Sequence, residues 1–282
     1  MKYQRSSASL IGALFLIAGS LCAQASPATA EKIIQEGQTR SQVMRHLNTL
    51  TNRIGPRLTS SDNLIEACNW AVETFKGFGI ENARLYEWGT YPVGLDRGTM
   101  IGRMVSPKTM KLDLTTPSWT AGTAGLTRGR VVAFPEPESA TGDRSAPGDG
   151  GAKGGRGTED APDATAQPMD LKGAWVLFPR MTRGRRPAIS TDELKKAGAL
   201  GSIYPSYGQT NDLVLTGGSS RISWDDLPDF PTIMLRRDQI SEINAELDKG
   251  EEVILEFDIE NEFKEGPIPV YNVIADIVGT EF

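Results

Sequence analysis

The apolar positions of this chain change period several times, and each change marks an element. Between residues 30 and 50, Ile33, Ile34, Val43, Met44, Leu47 and Leu50 recur at helical spacing, with Gly37 predicting a break between two short helices. The same period returns over Leu64, Ala67, Cys68, Ala71, Val72 and Phe75. Asn63 and Glu66 form a capping-box pattern at its start, and Gly77 and Gly79 close it. Between these helices, residues 52–61 read as a loop, because Ile54-Gly55-Pro56 fixes a turn.

Strand patterns follow at residues 83–88, 100–105 and 129–134, and again at 171–178, where the continuous run Ala174-Trp175-Val176-Leu177-Phe178 predicts a strand covered on both faces. Ser190 and Glu193 predict a capped helix over 191–197, stopped by Gly198 before a strand at 202–204. A strand at 232–235 leads into a helix at 239–247, closed by Gly250. Residues 251–260 then alternate, with Val253, Leu255, Phe257 and Ile259 sharing one face. A last β-branched run, residues 270–279, reads as the start of a buried strand with only Thr280, Glu281 and Phe282 after it.

One segment breaks the pattern. From Pro135 to Pro168 no apolar side chain is larger than Ala, so little burial is available to offset the entropy of ordering. It reads as a disordered insertion in a surface loop. Around it, strands and short helices alternate from 129 to 260, which suits a compact α/β or mixed α+β module of about a hundred ordered residues. The flanks, 30–88 and 270–282, read as parts of another domain into which this module is inserted.

The N-terminal pattern predicts export. Lys2 and Arg5 precede an uncharged stretch over residues 10–21 that ends in Ala23-Gln24-Ala25, the pattern of a secretory leader cleaved after Ala25. A spanning helix needs ~20 apolar residues, so no membrane span is expected once the leader is gone. Removing the leader takes Lys2 and Arg5 from the 30 basic residues against 36 acidic ones, and the more acidic remainder is a poor partner for nucleic acid. Of the two cysteines, Cys22 leaves with the leader. Cys68, in an apolar helix, reads as a buried structural thiol.

Chemistry is sparse. A dizinc site needs several His, Asp and Glu ligands, and a serine or cysteine triad needs a histidine base, but His46 is the only histidine and sits on the first helical region. Asp225-Asp226 and Glu251-Glu252 read as solvated loop and strand-edge charge. Arg180, Arg183, Arg185 and Arg186 form a basic loop able to grip an anion, and residues 148–157 lack the strand and Lys-Ser/Thr of a phosphate loop. No catalytic, cofactor-binding or metal-binding residue is assigned.

Three blocks in order carry a family resemblance. The stretch NRIGPRLTSSDNLIEACNWAVETFKGFGIENARLYEW from Asn52 and the closing YNVIADIVGTEF from Tyr271 resemble zinc exopeptidases of metallopeptidase family twenty-eight, of the aminopeptidase and carboxypeptidase Q type. LKGAWVLFPR, KKAGALGSIYPS and DFPTIMLRRDQISEINAELDKGEEVILEF resemble the protease-associated domain that many of them carry as an insertion. The resemblance implies residues 26–110 as the opening of the peptidase domain, 111–265 as the protease-associated-like domain with its insertion at 135–168, and 266–282 as the first strand of a truncated catalytic domain. It also implies two zinc ions in full-length relatives and none here, because the ligands of the family follow that strand. The expected protein is a secreted or periplasmic scaffold, inactive alone, whose partner is a peptide or a downstream catalytic chain. The alternative is a secreted interaction module that binds peptides or a partner protein.

Overall fold

The computed structural model describes residues 27–135, 169–179, 189–207, 214–218 and 222–279. The expected leader, residues 136–168 and the basic loop from Arg180 to Arg186 lie outside them. The chain divides into a unit ending at Arg53 and a unit beginning at Ile54.

In the first unit, α1 (Pro27–Thr39) and α2 (Val43–Asn48) lead into a π-helical turn, Thr49–Ile54. α1 continues through Gly37, so the break falls at Arg40, Ser41 and Gln42 instead. A mid-helix glycine costs only about 1 kcal/mol relative to alanine, and an ion pair from Arg40 to Glu36 spans it. The π-helical turn also takes up residues expected to be loop. Neither α1 nor α2 has a buried residue, and Ile33, Ile34, Val43, Met44 and Leu47 are all exposed.

The second unit opens on α3 (Asp62–Gly77). Its N-cap is Ser61 and not Asn63: the Ser61 hydroxyl accepts a hydrogen bond from the Leu64 amide at 3.2 Å. Ser61 holds the extended backbone that a cap requires, with ψ 155°, while Asn63 is already inside the first turn.

Eight strands follow: β1 (Arg84–Ser106), β2 (Met110–Lys111), β3 (Leu114–Thr115), β4 (Thr127–Ala133), β5 (Ala174–Leu177), β6 (Gly201–Pro205), β7 (Thr232–Leu235) and β8 (Ile254–Ile274). Two helices join them, α4 (Thr191–Lys196) and α5 (Arg237–Asp248). The strands form one mixed sheet in the order β2-β1-β8-β4-β5-β6-β7-β3, in which β4 to β7 run parallel.

β2 and β3 sit at opposite ends of that order, yet only Leu112 and Asp113 separate them. The sheet therefore curls until its two edges meet. The Leu112 amide donates to Gly102 O at 2.9 Å, and a Cβ on Gly102 would lie 2.8 Å from Leu114 Cδ2. Gln239 of α5 bridges the seam, accepting from the Asp113 amide at 2.8 Å and donating to Lys111 O at 2.9 Å. Met104, Trp175, Ile203, Ile233, Leu255 and Phe257 fill the inside of the curl.

The predicted alternation over residues 253–259 holds, because Val253, Leu255, Phe257 and Ile259 are all buried in this core. The continuous run at β5 splits as both-face burial demands: Trp175 and Leu177 join that core, while Val176 and Phe178 pack with Leu194 of α4, Tyr204 and Met234 on the other side.

Strand lengths differ most from expectation. The predicted strands at 83–88 and 100–105 are one strand, β1, and those at 251–260 and 270–278 are one strand, β8. The two pair antiparallel from Arg84 with Ile274 to Ser106 with Ile254. Four register shifts interrupt the pairing, three of them beside Gly89, Pro92 and Gly98. β8 runs through position 265 without interrupting the ladder. β8 ends at Ile274, and Ile277 and Val278 are 84% and 81% exposed, so the run expected to be buried is buried only at Val270 among the described residues.

Candidate functional site

The residues singled out by sequence do not converge. His46 lies half-buried on α2 in the first unit. Asp225 and Asp226 are exposed on a 3-10 turn, Trp224–Asp226, and Glu251 and Glu252 are exposed ahead of β8. Cys68 is buried on α3, its thiol 3.8 Å from Tyr271 O, and burial raises its pKa above the ordinary value, which keeps it protonated and unreactive at neutral pH. Among the described residues, no three His, Cys, Asp or Glu side chains stand close enough to hold a metal ion. With one histidine in the chain, a dizinc centre does not fit the residues present.

What the fold does bring together is a polar stretch in the middle of the β1/β8 ladder. Here an open groove of about 790 Å³ is bordered by Asp96, Arg97, Thr123, Asp258, Glu260 and Glu262. Arg97 pairs in register with Asn261 across the ladder. Arg97 Nη2 donates to Thr116 O at 2.7 Å and Nη1 to Thr115 Oγ1 at 3.3 Å, while Asn261 Nδ2 donates to Thr120 O at 2.9 Å and Thr116 Oγ1 at 3.1 Å. Both side chains thus bind the loop that follows β3. Desolvation lowers the Arg97 pKa, but a guanidinium remains charged at any pH of interest.

Two of the four carboxylates already have partners. Asp96 accepts from the Asp62 amide at 2.9 Å and pairs with Lys264. Glu260 accepts from the Thr99 amide at 3.0 Å, and that backbone hydrogen bond holds its pKa below the ordinary carboxylate value. An ionised Glu260 accepts hydrogen bonds and has no proton to deliver. The groove therefore has the chemistry of a structural junction and lacks a nucleophile beside a base.

Sequence reading missed Arg97, Asn261 and Lys264, whose roles depend on cross-strand register. One signal was present: Trp119 stands in the small, polar loop Thr116-Pro117-Ser118-Trp119-Thr120, where an indole needs a reason to be.

No family model matches this chain, and no curated protein matches it. Solved structures do. A peptidase M28 precursor from Shewanella amazonensis SB2B aligns at 20% identity with a TM-score of 0.51, covering 88% of this chain and 53% of that one. An aminopeptidase from Aneurinibacillus sp. strain AM-1 aligns at 16% identity (TM-score 0.41; 84% and 48% covered), and the zinc aminopeptidase BSAP from Bacillus subtilis at 13% (TM-score 0.43; 82% and 45% covered). Only the first alignment is close enough to carry an argument, and it establishes the fold: this chain is built like a portion of that peptidase precursor. The chain spans about half the length of the structures it matches. Among the described residues, no helix is long and apolar enough to cross a membrane.

Proposed function

We propose that this chain is the scaffold portion of a secreted zinc exopeptidase of the aminopeptidase and carboxypeptidase type. It supplies the lead-in helices, a protease-associated-like lobe and the β1/β8 ladder, but not the residues that hold zinc. The observation that carries this reading is the asymmetric fold match, in which most of this chain corresponds to only about half of a peptidase precursor. The single histidine supports the second part, since a dizinc hydrolase draws its metal-activated water from a ligand set this chain lacks. Uncovered apolar surface supports it too: Trp88 and Tyr86 at one end of the ladder are 50% and 54% exposed.

The test is direct. Purified protein supplied with zinc and offered aminoacyl and carboxyl-blocked peptide substrates is expected to bind no stoichiometric metal and to release no product. Stoichiometric zinc together with hydrolysis overturns the proposal. Addition of a separately expressed chain bearing the metal ligands is expected to restore turnover.

A second reading, a secreted module that binds peptides or a partner protein, is favoured by the filled core inside the curled sheet, which needs nothing further to be stable. A monodisperse protein in size-exclusion chromatography fits that module. Self-association through the uncovered end fits the scaffold.

A further inference from the structure

Ser60 and Trp119 are the two non-glycine residues with left-handed backbone among those described, at φ 73° and 51°. For a bulky residue such as Trp this conformation is costly, and it persists only where the surroundings hold it. Both side chains donate to the same acceptor. Trp119 Nε1 reaches Val93 O at 2.9 Å, and Ser60 Oγ reaches it at 3.3 Å. The Trp119 ring also stacks on Tyr91, with centroids 5.9 Å apart and planes 8° from parallel. Val93 sits at one of the register shifts of the ladder, which leaves its carbonyl available to the side.

The surrounding contacts repeat this convergence. From the α3 side, the Asp62 amide donates to Asp96, and Lys264 pairs with both Asp62 and Asp96. Gly94 permits the approach, since a Cβ there would lie 2.9 Å from Ser60 O. From the β3 side come the bonds of Arg97 and Asn261 to Thr115, Thr116 and Thr120. So the loop before α3 and the loop after β3 grip one short stretch of the ladder, residues 93–97 with 261–264.

We propose that this stretch is a clasp that fixes the angle between the α3-bearing end of the ladder and the curled sheet, with Ser60 and Trp119 as its two pins on Val93. β3 pairs with β7 at the far edge of the sheet, so the loop it feeds transmits the position of that edge to the middle of β1. Without the pins, the register shift at Val93 is a place where a long two-stranded ladder bends. The proposal stands whether or not the chain belongs to a peptidase.

Hydrogen exchange on Trp119→Phe, which keeps the ring and removes the N–H, tests it. Amides of residues 93–96, 114–116 and 118–120 are expected to exchange on the order of five- to tenfold faster, as loss of one buried hydrogen bond implies, while β5 to β7 and α5 are unchanged. Unchanged exchange everywhere, or a uniform increase through the sheet, overturns the clasp. If that variant does not fold, Ser60→Gly decides: glycine adopts φ 73° freely, so only the hydroxymethyl group is lost, and exchange is expected to rise at residues 58–62 and 93–96 alone. The angle itself is read by spin labels at Glu73→Cys and Ala245→Cys in a Cys22→Ser, Cys68→Ala background. A single narrow distance distribution that broadens with Trp119→Phe supports the clasp, and a broad one in the parent refutes it.

Discussion

The β1/β8 ladder lives in two environments. At residues 100–106 and 254–259 it is one wall of a filled core, with Met104, Leu255, Phe257 and Ile259 essentially inaccessible. At residues 84–91 and 268–274 the same strands carry α3, which buries Ala67, Cys68 and Val72, while Tyr86 and Trp88 remain open to solvent. The difference comes from neighbours and not from strand quality. Where β4 and β2 flank the ladder its inward residues are covered, and where no third strand joins it a single helix does what it can. One end is complete by itself, and the other has surface left for something else.

Substitutions should separate the two ends by size of effect. Trp175→Ala, which removes an indole packed edge-on against Phe257 with centroids 4.9 Å apart, is expected to cost about 3–5 kcal/mol in urea unfolding. Gly201→Ala places a Cβ 2.5 Å from Trp175 Cζ3 and 2.8 Å from Pro231 O, and is expected to cost about 1–3 kcal/mol by overpacking. Ser190→Ala removes the α4 capping box, in which Ser190 and Glu193 bond reciprocally, for about 1 kcal/mol. At the open end, Tyr86→Ser should stay within about 0.5 kcal/mol and reduce self-association in light scattering. A large stability loss there would mean that this end is already covered.

The pH responses should diverge as well. In the lobe, hydrogen bonds from Lys249 and Lys108 hold Glu246 below its ordinary value of 4.5, and the Arg236 hydrogen bond holds Asp238 below 3.8. Their contribution is complete above those ordinary values and is lost as pH falls through the lower folded ones. At the clasp, desolvation pulls Lys264 down, but the hydrogen bonds it donates to Asp62 and Asp96 outweigh it and raise the pKa above 10.5. That contribution is complete below 10.5 and is lost as pH rises through the folded value. Hydrogen exchange is expected to rise at α5 in acid, as the Glu246 and Asp238 pairings are lost, and at residues 93–97 in alkali, as the Lys264 pairing is lost.

Local signals were legible and long-range register was not. Ser190 with Glu193, Gly198 and Gly250 at left-handed helix ends, and the alternation from Val253 to Ile259 each act within a few residues, and the sequence displays them. Gly89, Pro92, Gly94 and Gly98 lie between the two strand patterns expected at 83–88 and 100–105, and nothing near them shows that a partner strand far along the chain carries the ladder past them. The clasp was invisible for the same reason: Ser60, Trp119 and Val93 meet only after two loops close on β1. The mixed α/β architecture needed only the local signals.

The pairing of Arg84 with Ile274 also sets an order of events. While the chain emerges, β5 to β7 each meet a partner formed shortly before them, whereas most of β1 must wait for β8, about 150 residues further on. During that interval β1 has only its short pairing with β2, and the edge that β8 will take is open along its whole length. Pairings between such distant segments are slow to form, and an unpaired strand is exposed to wrong partners meanwhile. Closure of the ladder is then the late step, and the time for which β1 must be kept from aggregating is the time needed to deliver residues 254–274.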